Sequence, residues 1–100
     1  MDLSPEGTCM YFILIYEVVD DFINRRAPFR PQHLKLVEDA HRRGELVMAG
    51  AFSDPVDGAA LVFKGSDPIA ARRFAETDPY VTNGLITQWR VRGWNVVVGG

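Results

Sequence analysis

One cysteine, Cys9, and two histidines, His33 and His41, are the whole stock of thiol and imidazole in this 100-residue chain. A lone thiol closes no internal disulfide and builds no Cys-rich cluster, a usage that suits a reducing compartment, so a cytoplasmic location is expected. Cys9 also has no cationic neighbour in sequence that would activate it as a nucleophile. Two histidines eight positions apart, with no His-Glu-x-x-His pattern, do not assemble three convergent ligands, and no metal site is expected. A basic excess is missing as well. The 11 Lys and Arg against 13 Asp and Glu leave a formal charge of -2, and the cations are scattered. Without a basic stripe to neutralise phosphates, nucleic acid is not an expected partner. No run approaches the roughly 20 apolar residues that cross a bilayer. The apolar run over 10–16 also lacks the charged flank and cleavage site of a signal peptide, so no membrane partner is expected. Finally, no glycine-rich loop joins a strand to a helix. Gly50 lies inside an apolar segment and Gly65 stands alone before Ser66-Asp67-Pro68, so neither a dinucleotide nor any other cofactor is expected.

What remains is ordinary globular material, 47% hydrophobic and 24% charged, enough for one core. Residues 1–9 are polar and turn-like, with Ser4, Pro5 and Gly7, and read as a loosely ordered tail. Residues 10–98 read as a single domain. Met10 to Glu17 is aromatic and β-branched without alternation, the pattern of a central strand covered on both faces. A polar, Pro-containing connection occupies 18–29. Pro31 then opens a helix over 31–43 that Gly44 is suited to cap. Two short strands, 46–52 and 59–63, flank Ser53-Asp54-Pro55-Val56-Asp57-Gly58 as a hairpin. Asp67-Pro68 starts a second helix over 69–77, which Asp78-Pro79 stops. After a turn at Asn83-Gly84, Thr87, Trp89 and Val91 alternate with Gln88, Arg90 and Arg92 as a half-buried strand. Gly93 is expected to kink it before a continuation over 94–98.

The order β-α-β-β-α-β predicts an α+β fold of ferredoxin-like topology, an antiparallel sheet with both helices on one face. The two-faced apolarity of the first strand then calls for cover on the opposite side. A second copy of the sheet is the simplest cover, so a homodimer through sheet faces is expected.

Two residues stand out chemically. On a helical wheel His33 shares a stripe with Leu36, Val37 and Ala40, which places an imidazole at the edge of the core. It reads either as a titratable group tuned by its surroundings or as a buried histidine hydrogen-bonded for structure. Asp78 follows Phe74 and Ala70 at i+4 and i+8 on the face that packs on the sheet. It reads either as the partner of that imidazole or as a helix stop bonding nearby backbone amides. His41, beside Arg42, reads as a solvated surface residue. Trp89, Trp94 and Phe74 read as packing residues.

The Met-Tyr-Phe-Ile-Leu opening, the helix with His33-Leu34 and the segment Gly44-Glu45-Leu46-Val47-Met48-Ala49-Gly50 resemble the YciI-like (YCII-related) family. So do Asp78-Pro79-Tyr80-Val81, Gly84-Leu85 and the strand ending in Trp94, and the likeness spans about 10–98. It implies a dimeric α/β-barrel assembly with clefts between sheet and helix ends, and catalytic roles for His33 and Asp78. Family members are described variously as enzymes and as small-molecule binders, with lyase-like or dehydrochlorinating chemistry in aromatic catabolism suggested. One position departs from the pattern: Ala51 stands where a proline is expected, at the strand end beside the implied cleft.

Three expectations follow. In the first, the chain is a cofactor-free enzyme of lyase or isomerase type acting on a small aromatic or anionic metabolite. His33 is its general base or acid, Asp78 the orienter, and Arg30 and Tyr80 the ligand contacts. In the second, the same cleft holds a small-molecule ligand without transforming it, as a dimeric binding or accessory module. In the third, His33 and Asp78 are a structural pair.

Overall fold

The computed structural model describes residues 10–100, and the tail over 1–9, with Cys9, lies outside them. The chain runs β1 (Met10–Val18), α1 (Phe22–Arg25), a 3-10 turn (Ala27–Phe29), α2 (Arg30–Arg42), β2 (Leu46–Ala51), β3 (Gly58–Gly65), α3 (Ile69–Thr77), α4 (Pro79–Thr82) and β4 (Ile86–Trp94). All pairings are antiparallel, in the order β2-β3-β1-β4. This is the four-stranded α+β arrangement that the β-α-β-β-α-β pattern predicts.

β1 is central because it pairs on both sides, with β3 and with β4. On one face Phe12, Leu14 and Tyr16 stand opposite Phe63, Leu61 and Ala59; all three are buried, and Leu14 and Tyr16 join the core with Phe22, Ala40, Phe74 and Leu85. On the other face Tyr11, Ile13 and Ile15 are only half-buried, between Val62 and Ala60 of β3 and Arg92 and Arg90 of β4. The absence of alternation in this strand thus reports a sheet with helices on one side and an apolar second face left open.

Helices α2 and α4 are both followed by a glycine for a backbone reason. After α2, Gly44 takes a φ of 81°, its N–H bonds the His41 carbonyl and the Glu45 N–H reaches back to Ala40. After α4, Gly84 at φ 75° and Leu85 repeat the pattern onto Val81 and Tyr80. Only glycine enters this left-handed region without cost, and the paired bonds satisfy the last carbonyls.

Three expectations need correction. The connection over 18–29 is not irregular: Asp21, in the left-handed region at φ 60°, turns the chain into α1 and buries Phe22, and the 3-10 turn leads directly into α2. Gly93 makes no kink, since it pairs in register with Phe12 and the shift in that ladder lies at Glu17/Val18. The strand does not continue over 95–98 either. Trp94 stands opposite Tyr11, and β4 ends there.

Among the described residues no helix is long and apolar enough to cross a membrane.

Candidate active site

Asp78 is the only fully buried charged side chain among the described residues, at 0% exposure. Its position follows from local chain chemistry. Pro79 forces the preceding residue out of helical geometry, so α3 ends and Asp78 adopts φ -65°, ψ 124°, turning its carboxylate back as the cap of α4. Oδ1 accepts the Tyr80 N–H at 3.0 Å. Oδ2 accepts the Tyr16 hydroxyl, from the central strand, at 2.7 Å. His33 Nδ1, from α2, meets Oδ1 at 2.9 Å. The helix-stop reading and the partner reading of Asp78 therefore both hold: one carboxylate caps a helix and gathers two side chains from two other elements.

The imidazole is held on three sides. Its ring stacks on that of Tyr80 with centroids 3.8 Å apart and planes at 10°, the Phe74 ring meets it edge-on at 6.3 Å, and Nδ1 is engaged with Asp78. Its side chain keeps 14% exposure. Donation from Nδ1 to Asp78 Oδ1 would leave Nε2 as the nitrogen without a partner among the described residues. Tyr16 is locked in its protonated form: burial first, then the charge of Asp78 and the hydrogen bond to it, push its ionisation well above the ordinary tyrosine value.

A pocket of about 170 Å³ lies against this cluster, lined by Tyr16, His33 and Tyr80 on one side and by Arg26 and Arg30 on another. Its floor exists because of one extra residue in β2. Leu46 faces the helices opposite Phe63, but the register slips before Met48, which pairs with Val62 and points to the open face. The slip at Val47 turns Ala49 and Ala51 toward the helices, opposite Leu61 and Ala59. Small side chains there leave the volume empty, and Ala51, the departure from the family pattern, is part of its wall.

Arg30 and Tyr80 are thus both brought to the pocket with His33. Tyr80 is 3% exposed, and its hydroxyl is the one buried side-chain polar atom without a hydrogen-bond partner among the described residues. Burial raises its ionisation, and the hydrogen-bonding proximity and positive charge of Arg30, then the charge of Arg26, oppose that rise. Sequence reading missed Tyr16 and Arg26. A buried tyrosine in a core strand needs a partner for its hydroxyl, a usable signal. Arg26 lies in a segment read as connection and carried none. His41 is exposed, as expected. A larger groove of about 500 Å³ runs between α2 and α3 past Leu36, Ala40 and Phe74, but His33 and Tyr80 do not line it. Among the described residues no group of three or more metal-ligating side chains converges.

A family model of the YCII-related domain matches residues 10–95. The chain belongs to the YCII-related family. It is 30% identical over 97 residues to Protein YciI of Escherichia coli O6:H1, covering 88% of this chain and 99% of that protein, and equally to Protein YciI of Shigella flexneri. In structure this YCII-related chain is similar to the 5-chloro-2-hydroxyhydroquinone dehydrochlorinase of Burkholderia phenoliruptrix AC1100, solved with 2,5-dihydroxybenzoquinone. The TM-score is 0.71 at 18% identity, over 86% of this chain and 94% of that one. A NIPSNAP family protein of Agrobacterium tumefaciens gives a TM-score of 0.60 at 13% identity, over 88% and 92%. At these identities the two structures speak for the fold alone.

Proposed function

We propose that this YCII-related protein is a cofactor-free acid–base enzyme, of lyase or isomerase type, acting on a small ring-sized metabolite in the pocket beside His33. The observation that carries the reading is the buried Asp78 carboxylate, which takes His33 Nδ1 at 2.9 Å while Tyr16 and the Tyr80 amide hold it from behind. A base so oriented keeps one tautomer, and Nε2 is the atom that removes a proton from the bound molecule and returns it to a neighbouring atom or a leaving group. Asp78 stabilises the imidazolium formed in between. Arg30 and Tyr80 contact the substrate from the pocket wall. The size fits one ring: an engineered cavity of roughly 150 Å³ binds benzene. A fold relative that dehydrochlorinates a hydroquinone and was solved with a quinone supports a substrate of this kind.

The reading includes a homodimer through the open face of the sheet. Ile13, Ile15 and Val62 remain half-covered there, with Met48 64% exposed and Trp94 48% exposed at the margins. Stacking two such faces is the economical way to bury them.

The competing reading, a module that binds the ligand without transforming it, draws on one observation. His33 is the single imidazole of the pocket and no carboxylate lines it, so any second proton-handling group has to be Tyr80 or water. His33→Ala separates the two. Screened against small ring-bearing acids and phenols, the enzyme reading expects turnover that this variant abolishes while it stays folded. A folded His33→Ala protein with undiminished turnover contradicts it, and ligand binding without any turnover favours the module.

A further inference from the structure

Arg26 and Arg30 line the pocket, and neither has a carboxylate partner among the described residues. Among the described residues the ion pairs are His33–Asp78, Lys35–Asp39, Arg42–Asp39 and Arg43–Glu45. Arg26 is half-buried, with its guanidinium 5.4 Å over the Phe22 ring, and Arg30 is half-buried one helical turn later along the chain. Both line the pocket, and the positive charge of both acts on the Tyr80 hydroxyl. That hydroxyl is buried beside the Arg30 guanidinium, which can donate but not accept, so its own proton has no acceptor. Leaving such a group unsatisfied costs about 1 to 3 kcal/mol, so its place on a pocket wall beside two unpaired cations calls for an acceptor from outside the chain.

We propose that Arg26, Arg30 and the Tyr80 hydroxyl form an anion clamp that makes the ligand of this pocket a small organic carboxylate of single-ring size. Each guanidinium presents a planar fork of donors that matches the two oxygens of a carboxylate, and the tyrosine adds a further donor to the same group. The remaining wall, with Phe22, Leu34, Val37 and Ala59, is apolar and suits a ring. Asp78 does not line the pocket, so it does not repel the anion directly, and Tyr80 stays protonated because burial opposes its ionisation. The clamp rests on the pocket assigned above to acid–base chemistry and adds the charge of its ligand and a role for Arg26.

The test is calorimetric titration with sodium benzoate and with benzamide, which has nearly the same shape and no charge. The expected result is that benzoate binds the wild-type chain at least about ten-fold more tightly than benzamide, the scale of one charge-assisted hydrogen bond. Arg26→Gln and Arg30→Gln should each shrink that preference and the double variant erase it. Tyr80→Phe should weaken benzoate more than benzamide, while folded His33→Ala and Asp78→Asn variants should still prefer benzoate. Equal binding of the two probes by the wild type overturns the clamp without requiring any variant to fold. A preference that survives the double arginine substitution, or vanishes with His33→Ala, also overturns it, as does tight, arginine-dependent binding of 4-nitrophenolate in place of benzoate. Loss of the benzoate preference alongside His33-dependent turnover sinks the clamp alone. A retained preference with turnover indifferent to His33→Ala sinks the acid–base reading alone.

Discussion

Tyr16, in the middle of the sheet, donates its hydroxyl to Oδ2 of Asp78 at 2.7 Å across a separation of 62 residues, and both groups are buried. The bond ties the central strand to the junction of α3 and α4, and through the other carboxylate oxygen to His33 on α2. A single carboxylate therefore serves fold and site together, so changes to its partners should register in stability as well as in chemistry.

Tyr16→Phe removes the donor and leaves part of the carboxylate unsatisfied, which should cost about 1 to 3 kcal/mol in urea unfolding at neutral pH. The pH dependence has a definite sign. The folded-state ionisation of Tyr16 is raised above the ordinary tyrosine value, by burial first and by Asp78 second. Up to about pH 10 both folded and unfolded Tyr16 are protonated and its contribution is intact. Above that, the unfolded chain loses a proton that the folded chain keeps, so stability falls as pH rises, by about 1.4 kcal/mol per pH unit for this group. The gap between wild type and Tyr16→Phe should accordingly narrow above pH 10. A gap that stays constant to pH 11 contradicts the burial argument.

Gly58→Ala should destabilise the chain although it adds one methyl group. A Cβ at Gly58 would lie 2.6 Å from the Tyr16 carbonyl oxygen, which belongs to the backbone of the central strand and cannot step aside. The expected cost is about 1 to 3 kcal/mol, the usual range for overpacking, read as a lower urea midpoint. An unchanged midpoint would show that the β1–β3 ladder tolerates a shift there.

The legible parts of this molecule were those with local causes. The Pro31 and Gly44 limits of α2, the Asp-Pro stop after α3 and the turn glycine at position 84 each depend on backbone chemistry within a few residues. His33 could be aimed at the core by its wheel position, and Asp78 by its place on the α3 face. What escaped depends on partners distant in sequence. The slip at Val47 that turns Ala49 and Ala51 into the pocket is a property of the β2–β3 pairing, invisible in an evenly apolar run. Arg26 reaches the pocket only because left-handed Asp21 starts α1 in a stretch without helical period. Residues 96–98 are all valine and looked like strand, yet strand propensity alone forms no strand without a paired neighbour, and β4 ends at Trp94.

The proposed homodimer gives a measurement of its own. Ile13→Lys places a positive charge on the open face between Val62 and Arg92, where the like charge of Arg92 cannot pair with it, away from the His33 cluster. Wild-type protein should sediment as a dimer and the variant as a folded monomer, because an unpaired charge at the centre of an apolar interface is strongly unfavourable. A monomeric wild type, or a dimer indifferent to the substitution, removes the sheet face as the interface.

The most direct test of the acid–base account is the tautomer of His33, read from its two ring nitrogens by long-range 1H–15N NMR at a pH where the imidazole is neutral. With only His33 and His41 present, assignment needs one variant. The account predicts a protonated Nδ1 held by Asp78 and a bare Nε2 available as the base. A proton on Nε2 with Nδ1 bare would contradict it, because the pair would then have no free basic nitrogen to offer a substrate.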